Sequence, residues 1–384
     1  MTKRKKVTFL TLILSHYRIT VHERVRELLA ADNIDYELIY SDPVGSDVAK
    51  KDTIELPWAK KVPVKSIYMG SSPAYYQHAY TAIKQSDLVI VSQENKLLMN
   101  YAMYFHFLFT GQKLAFFGHG YGHQATNPDG VFEKWKKFCA TKVDWWFAYT
   151  DGVAEYLKSI GYPAEKITPF RNSIDTHKLR DELDNITAKD LTAFKKRLGL
   201  KGKNIGLYVG GMYEEKRLDF LCQAALKIRD KVPDFELLLI GSGSHAHVAQ
   251  DYASKNDFIH APGAMFGKDT AMALKASKVF LMPGLVGLAV IDSFVGECPL
   301  ITTNYKYHSP EVQYLKSGYN GLIIDDNGKV ETYANGVCDI LTDKQRYDEM
   351  VKGCRESGNL YTAENMATNL ANGMKKALGF EVRS

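Results

Sequence analysis

Ten residues, Pro283-Gly-Leu-Val-Gly-Leu-Ala-Val-Ile-Asp292, bring together a chain-breaking proline, two glycines and a carboxylate. The apolar run Val279–Met282 before them reads as a strand, and Leu288–Val295 reads as the helix that follows. Gly284 and Gly287 would let the backbone come close to a ligand. Free backbone N–H groups in this turn, together with the positive end of the helix dipole, would then hold a phosphate. Asp292, one or two turns into the helix, is placed to reach a ribose hydroxyl. Alone, the stretch is equally readable as an ordinary strand-to-helix turn whose glycines serve backbone geometry.

Other turns repeat the theme. Strand Ile205–Val209 runs into Gly210-Gly-Met-Tyr-Glu-Glu-Lys-Arg217, where Gly210 and Gly211 make a tight turn and Lys216 and Arg217 offer cations for a diphosphate. Strand Glu236–Ile240 ends in Gly241-Ser-Gly243, and the next strand ends in the turn His260-Ala-Pro-Gly-Ala-Met265, containing Gly263 and Met265. Each turn alone is a weak signal, because glycines at such places usually serve geometry.

The elements that must position these turns alternate between short apolar runs and helical patterns. Val7–Leu14, Tyr36–Tyr40, Asp87–Ser92 and Lys113–Phe117 read as strands, with a helix near Val21–Ala31. The rhythm restarts after the charged segment 176–203 with Ile205–Val209, Glu236–Ile240, Phe258–His260 and Val279–Met282. The expected fold is α/β: two Rossmann-like doubly wound domains facing a central cleft. A first domain spans 1–175 and a second spans 176–361. Residues 362–384, with a helix over Thr362–Leu378, are expected to pack back on the first domain. Ligands of such sheets bind outside the carboxyl ends of the strands, which points to the cleft.

Composition narrows the class. The chain has 384 residues, 45% hydrophobic and 24% charged, and no apolar run approaches the roughly 20 residues a membrane span needs. Lys3-Arg-Lys-Lys6 and the apolar run after it superficially resemble a signal peptide. A basic lead-in to a buried first strand fits better, since no small-residue cleavage site follows. Five scattered cysteines without a C-x-x-C pair suggest neither a disulfide framework nor a zinc site, and point to the cytoplasm. Net charge is +5, and residues 1–175 carry 22 basic against 18 acidic side chains. That mild bias suits solvated surface, a phosphate-bearing acceptor or an anionic membrane face, and no nucleic-acid partner is expected. Leu97–Phe109 reads as a buried domain helix in preference to an interfacial membrane helix, because it has almost no basic face of its own. Glu133-Lys-Trp-Lys-Lys-Phe138 with Trp145-Trp146 is the better peripheral-membrane candidate, although a surface helix with one packed tryptophan explains it more simply.

The order of the turns is more specific than any one of them. The chain resembles the retaining, nucleotide-sugar-dependent family-four glycosyltransferases of the GT-B fold over nearly its whole length. The resemblance is strongest from Gly210 to Gly321: the glycine turn with Lys216, Gly241-Ser-Gly243, Pro283–Asp292, Glu297-Cys-Pro299, His308-Ser-Pro-Glu311 and Gly318-Tyr-Asn-Gly321. Arg171-Asn-Ser-Ile-Asp175 is similar to the family's domain-junction segment, and Gly118-His-Gly120 to its histidine-containing turn.

The resemblance implies that Lys216 neutralises donor phosphate, that backbone at Val286-Gly287-Leu288 binds phosphate or sugar oxygens, and that Asp292 binds the ribose. Gly263–Met265 would lie against the base. His119 would face the donor sugar from the other domain, although a structural histidine is the rival reading. His16, Tyr17 and Arg18 become acceptor contacts, with a lone surface cation as the alternative for Arg18. Two departures matter. Gly284 stands where the family has the first of two glutamates, and Asp292 takes the place of the second. The family's arginine before the lysine falls at Gly211, which leaves Arg217 as its substitute.

The implied reaction moves a sugar with retention from a nucleotide diphosphate donor, UDP- or GDP-linked, to a glycan or lipid-linked acceptor hydroxyl, in bacterial surface polysaccharide synthesis. The nucleotide sugar is a co-substrate and no other cofactor is expected. No D-x-D triplet occurs, in keeping with metal independence. A non-catalytic sugar-nucleotide-binding protein is the second reading. A dinucleotide-dependent oxidoreductase is the third, disfavoured because Leu14-Ser-His-Tyr-Arg18 lacks G-x-G-x-x-G.

Overall fold

The computed structural model describes residues 4–45, 55–69, 72–120 and 141–382. The chain forms two compact units, Met1–Asp175 with Ala363–Ser384, and Thr176–Thr362.

The first unit holds a seven-stranded sheet ordered β3-β2-β1-β6-β7-β8-β9. Its strands are β1 (Lys5–Leu10), β2 (Ile34–Tyr40), β3 (Lys60–Lys61), β6 (Leu88–Ser92), β7 (Lys113–Gly118), β8 (Trp145–Ala148) and β9 (Ile167–Pro169). All neighbours in it run parallel. Leu88-Val-Ile-Val91 shows why: an unbroken apolar run has no polar face to offer water, so both sides must be covered. Leu88 and Ile90 enter one core with Val7, Phe9 and Phe147. Val89 and Val91 enter the opposite one with Leu10, Phe116 and Trp146. A separate antiparallel hairpin joins β4 (Val64–Met69) to β5 (Ser72–Gln77).

Helix Ala363–Leu378 covers the first of these cores together with helix Ile19–Ala30. A Cβ on Gly373 would come within 2.6 Å of Thr168 Oγ1 and 2.7 Å of Phe147, so glycine permits this close seating.

The second unit holds a six-stranded sheet ordered β12-β11-β10-β13-β14-β15. Its strands are β10 (Asn204–Val209), β11 (Phe235–Ile240), β12 (Ile259–Gly263), β13 (Val279–Leu281), β14 (Leu300–Thr303) and β15 (Gly321–Ile324), again all parallel.

In each sheet the chain steps outward to one edge and then returns across the starting strand. The reversal lies between β1 and β6 in the first unit and between β10 and β13 in the second. Loops diverge at such switch points and leave a crevice beyond the carboxyl ends of the strands.

Several expectations are corrected. The first strand ends at Leu10, and Leu12 and Leu14 are buried from the loop beyond it. Trp145 and Trp146 lie buried in β8, where adjacent side chains enter opposite cores, and so face no membrane. Glu133–Phe138 lies outside the described residues. Helix Leu98–Thr110 buries Met99 and Met103 but leaves Phe105 69% and Phe109 84% exposed, so it is only half a core helix. Cys222, Cys298, Cys338 and Cys354 are free and buried. Among the described residues no helix is long and apolar enough to cross a membrane, and no cluster of potential metal ligands occurs.

Candidate active site at the strand ends

In the second unit the glycine turns are stitched side by side at the carboxyl ends of the strands. Gly210 N–H donates to Ile240 O, Met212 N–H to Ser242 O, and Gly241 N–H to Gly263 O. Gly241 has φ 154° and a Cβ on it would meet Gly210 O at 1.9 Å, while one on Gly243 would meet Met212 O at 2.3 Å. These glycines let backbone pack on backbone. Met265 follows β12 and its carbonyl accepts from Thr270 Oγ1, so the Gly263–Met265 turn is tied to the next helix.

At the switch point the Gly210–Arg217 loop meets the Pro283–Leu288 loop. Leu285 N–H donates to Glu215 O at 2.8 Å, and a Cβ on Gly284 would come within 2.1 Å of that same oxygen. A side chain at 284 is therefore sterically excluded, so a glutamate cannot stand there in this arrangement. Gly287 differs: a Cβ on it would meet nothing closer than Ser309 Oγ at 3.7 Å, which leaves open space before it.

Lys216 is buried, with its ammonium donating to Leu285 O and lying 5.4 Å from the Tyr213 ring centroid. Burial lowers it from the usual lysine range to about 8. A cation held so dry gains strongly from an anion and has few alternative partners.

Arg217 is held by the residues around it. Its guanidinium donates to Pro283 O and Thr303 Oγ1, pairs with Asp326 at 3.1 Å and stacks over Phe220 at 3.9 Å. Its backbone sits in the left-handed region at φ 55°, a strained conformation for a side-chain-bearing residue that these contacts hold in place. Arg217 thus braces the Pro283 turn.

His308 supplies a second brace. Val286 N–H donates to its Nδ1 at 3.0 Å, which makes Nε2 the protonated nitrogen, and that N–H donates to Thr303 O at 2.9 Å. Burial lowers His308 below the usual histidine range, with the Lys216 charge acting in the same direction. The Val286 N–H is therefore spent on histidine. Asp292 is partly buried in helix Ala289–Val295, and desolvation pushes its carboxyl up to about 7.

In the first unit a pocket of about 370 Å³ opens at the β1/β6 switch point, lined by Tyr17, Arg18, Glu94, Lys96 and Tyr149 among others. Arg18 lies 5.4 to 5.7 Å from the ring centroids of Tyr17, Phe117 and Tyr149. His119 is exposed at the end of β7 and stacks on Tyr149 at 4.1 Å. His16 is exposed against the edge of Tyr17. The structure thus gathers Arg18, Tyr17 and His119 around Tyr149, a residue that sequence reasoning missed. It also missed His308 as the Val286 brace and Asp326 as the partner of Arg217. The His-Ser-Pro-Glu motif signalled the first, but no local pattern pairs Asp326 with Arg217.

Residues 203–343 match the family described as "Glycosyl transferases group 1". Spore coat protein SA of Bacillus subtilis (strain 168) is 27% identical over 193 residues, 46% of this chain and 50% of that protein, so the chain spans about half the length of this curated relative. Among solved structures, a glycosyltransferase from Rickettsia africae ESF-5 superposes with a TM-score of 0.69 at 14% identity, covering 99% of this chain and 100% of that one. Anabaena Alr3699/HepE in complex with UDP-glucose superposes with a TM-score of 0.64 at 12% identity, covering 97% and 99%. These likenesses show the fold: the chain has the GT-B architecture of those solved glycosyltransferases, and the match to the group 1 glycosyltransferase family lies inside the second unit.

Proposed function

We propose that the chain transfers a sugar from a nucleotide diphosphate donor to an acceptor hydroxyl with retention at the anomeric carbon. The reading rests above all on Lys216, a dry ammonium at the switch point beside the open Gly287 turn. In this scheme Lys216 and the N–H groups of Gly287 and Leu288 take the charge that develops on the departing diphosphate. The acceptor oxygen bonds to the anomeric carbon as the carbon–oxygen bond to diphosphate breaks, and the leaving phosphate oxygen takes the hydroxyl proton. Asp292 accepts from ribose. The acceptor, a glycan or lipid-linked glycan of a bacterial surface polysaccharide, occupies the pocket around Arg18 and Tyr149. UDP is the favoured nucleotide because Alr3699/HepE is described with UDP-glucose.

Incubation with UDP-, GDP- and ADP-sugars and a panel of glycan acceptors tests this, read as release of nucleoside diphosphate and the anomeric configuration of product. Tight nucleotide binding without turnover on any acceptor would favour a second reading, a sugar-nucleotide-binding protein. The steric exclusion of a glutamate at Gly284 motivates that alternative, since it removes a sugar-hydroxyl contact.

A further inference from the structure

A second pocket, of about 780 Å³, lies at the opposite, amino-terminal edge of the first sheet. Five cations line it, Arg4, Lys5, Lys6, Lys84 and Lys113, against two carboxylates, Asp35 and Asp87. Arg4 pairs with Asp35, Lys5 with Asp87, and Lys6 with Glu37. Lys84 makes no ion pair among the described residues, and the Lys113 ammonium donates only to a neutral carbonyl, Ala377 O. Two positive charges thus remain without a carboxylate. Beneath the pocket Gln112, 92% buried, spends its NH2 on Ile83 O and Ser86 O, and its Oε1 is out of reach of solvent. His106 shares Nδ1 with the Tyr80 hydroxyl and leaves Nε2 unbonded.

The rim is apolar. His106 and Thr110 line the pocket from helix Leu98–Thr110, and Phe105 and Phe109 run beside them one turn apart, 69% and 84% exposed. Tyr80 and Lys84, one turn apart on helix Tyr80–Ile83 and its cap, continue this rim, with Tyr80 bonded to His106. Exposed phenylalanines flanked by tyrosine and lysine around a cationic recess match the layers of a bilayer surface: acyl chains, interface and phosphate. Helix Leu98–Thr110 has almost no basic residue of its own, and folding supplies the charge from Lys84 and Lys113.

We propose that this face docks on an anionic phospholipid bilayer, with a headgroup phosphate between Lys84 and Lys113, and Phe105 and Phe109 in the acyl region. The donor and acceptor loops play no part, so the site stands apart from the glycosyl-transfer reading.

Co-flotation of the full chain with phosphatidylglycerol/phosphatidylcholine vesicles, and with phosphatidylcholine alone, tests it. Binding is expected to the anionic vesicles only and to fall as salt rises. Lys84→Glu should weaken it about fivefold or more, and Phe105→Ser with Phe109→Ser about tenfold or more. All these residues are exposed, and each variant should bind nucleotide like the parent. Failure of the parent to float would overturn the proposal. So would stabilisation by inorganic phosphate without vesicle binding, which would make the pocket a free-anion site. A dimer that the phenylalanine variant dissolves, again without vesicle binding, would make the face a contact between copies.

Discussion

The carbonyl oxygen of Glu215 fills the space that a side chain on Gly284 would need, 2.1 Å from the Cβ position. Gly284→Ala should therefore push the two switch-point loops apart, at a cost of about 2–4 kcal/mol. Urea unfolding should show the loss and titration calorimetry a matching loss of nucleotide affinity. A stable variant with normal affinity would mean that the loops are free to separate.

Lys216→Ala should weaken donor binding about 10- to 100-fold, the range for losing a charge-assisted contact to phosphate. Burial holds this ammonium at about 8, below its unfolded value of 10.5. Between those two values the unfolded chain binds more protons, so this residue adds stability as pH rises from about 8 to about 10.5. Donor affinity should move the other way and fall above pH 8, because the phosphate needs the charged form. Calorimetry near pH 8 in buffers of different ionisation enthalpy should detect proton uptake on binding, and Lys216→Ala should abolish it.

Asp292 is shifted upward, to about 7 from 3.8, so the native state holds its proton longer than the unfolded chain. Stability from this residue is greatest below about pH 4 and declines as pH rises to about 7. Asp292→Asn should raise stability at pH 8 by about 1–2 kcal/mol, allowing for partial exposure. It should also weaken nucleoside binding if the carboxylate accepts from ribose. Thermal melts with and without UDP separate the two effects.

His308 joins Val286 N–H to Thr303 O while neutral. Its lowered pKa means that protonation below about pH 6.5 favours the unfolded chain, so stability should drop on acidification. His308→Ala should cost about 1–3 kcal/mol and raise KM for the donor more than it lowers kcat, as the Gly287 turn loosens. Equal effects on both would place His308 outside donor positioning.

On the first unit, Arg18→Ala should raise KM for the acceptor and leave nucleotide affinity unchanged, since its rings and pocket belong to the β1/β6 switch point. A loss of nucleotide affinity instead would move Arg18 to the donor side.

The sequence carried the sheet rhythm because buried parallel strands such as Leu88–Val91 are continuous apolar runs, visible without any partner. Strands β14 and β15 were not read from the sequence, although shorter strands were. Adjacent Trp145 and Trp146 suggested an interface because nothing local says that a strand has cores on both faces. The glycine turns stood out by type, but their reasons did not: Gly241 answers to Gly210 O, and Gly284 to Glu215 O. Likewise Arg217 looked available because its partner Asp326 lies 109 residues away. Spacing picks out the turns, while the commitments of each side chain come from contacts distant in sequence.

The position of helix Ala363–Leu378 bears on how the protein is made. A first unit whose core includes Met366, Leu370 and Met374 cannot close while the ribosome is still translating the second. At about 5–20 residues per second the nascent chain waits roughly ten to forty seconds between Asp175 and Ala363. Through that interval the surface that Gly373 will cover, around Phe147 and Thr168, is open to chaperones, which makes the first half of the chain the later one to mature.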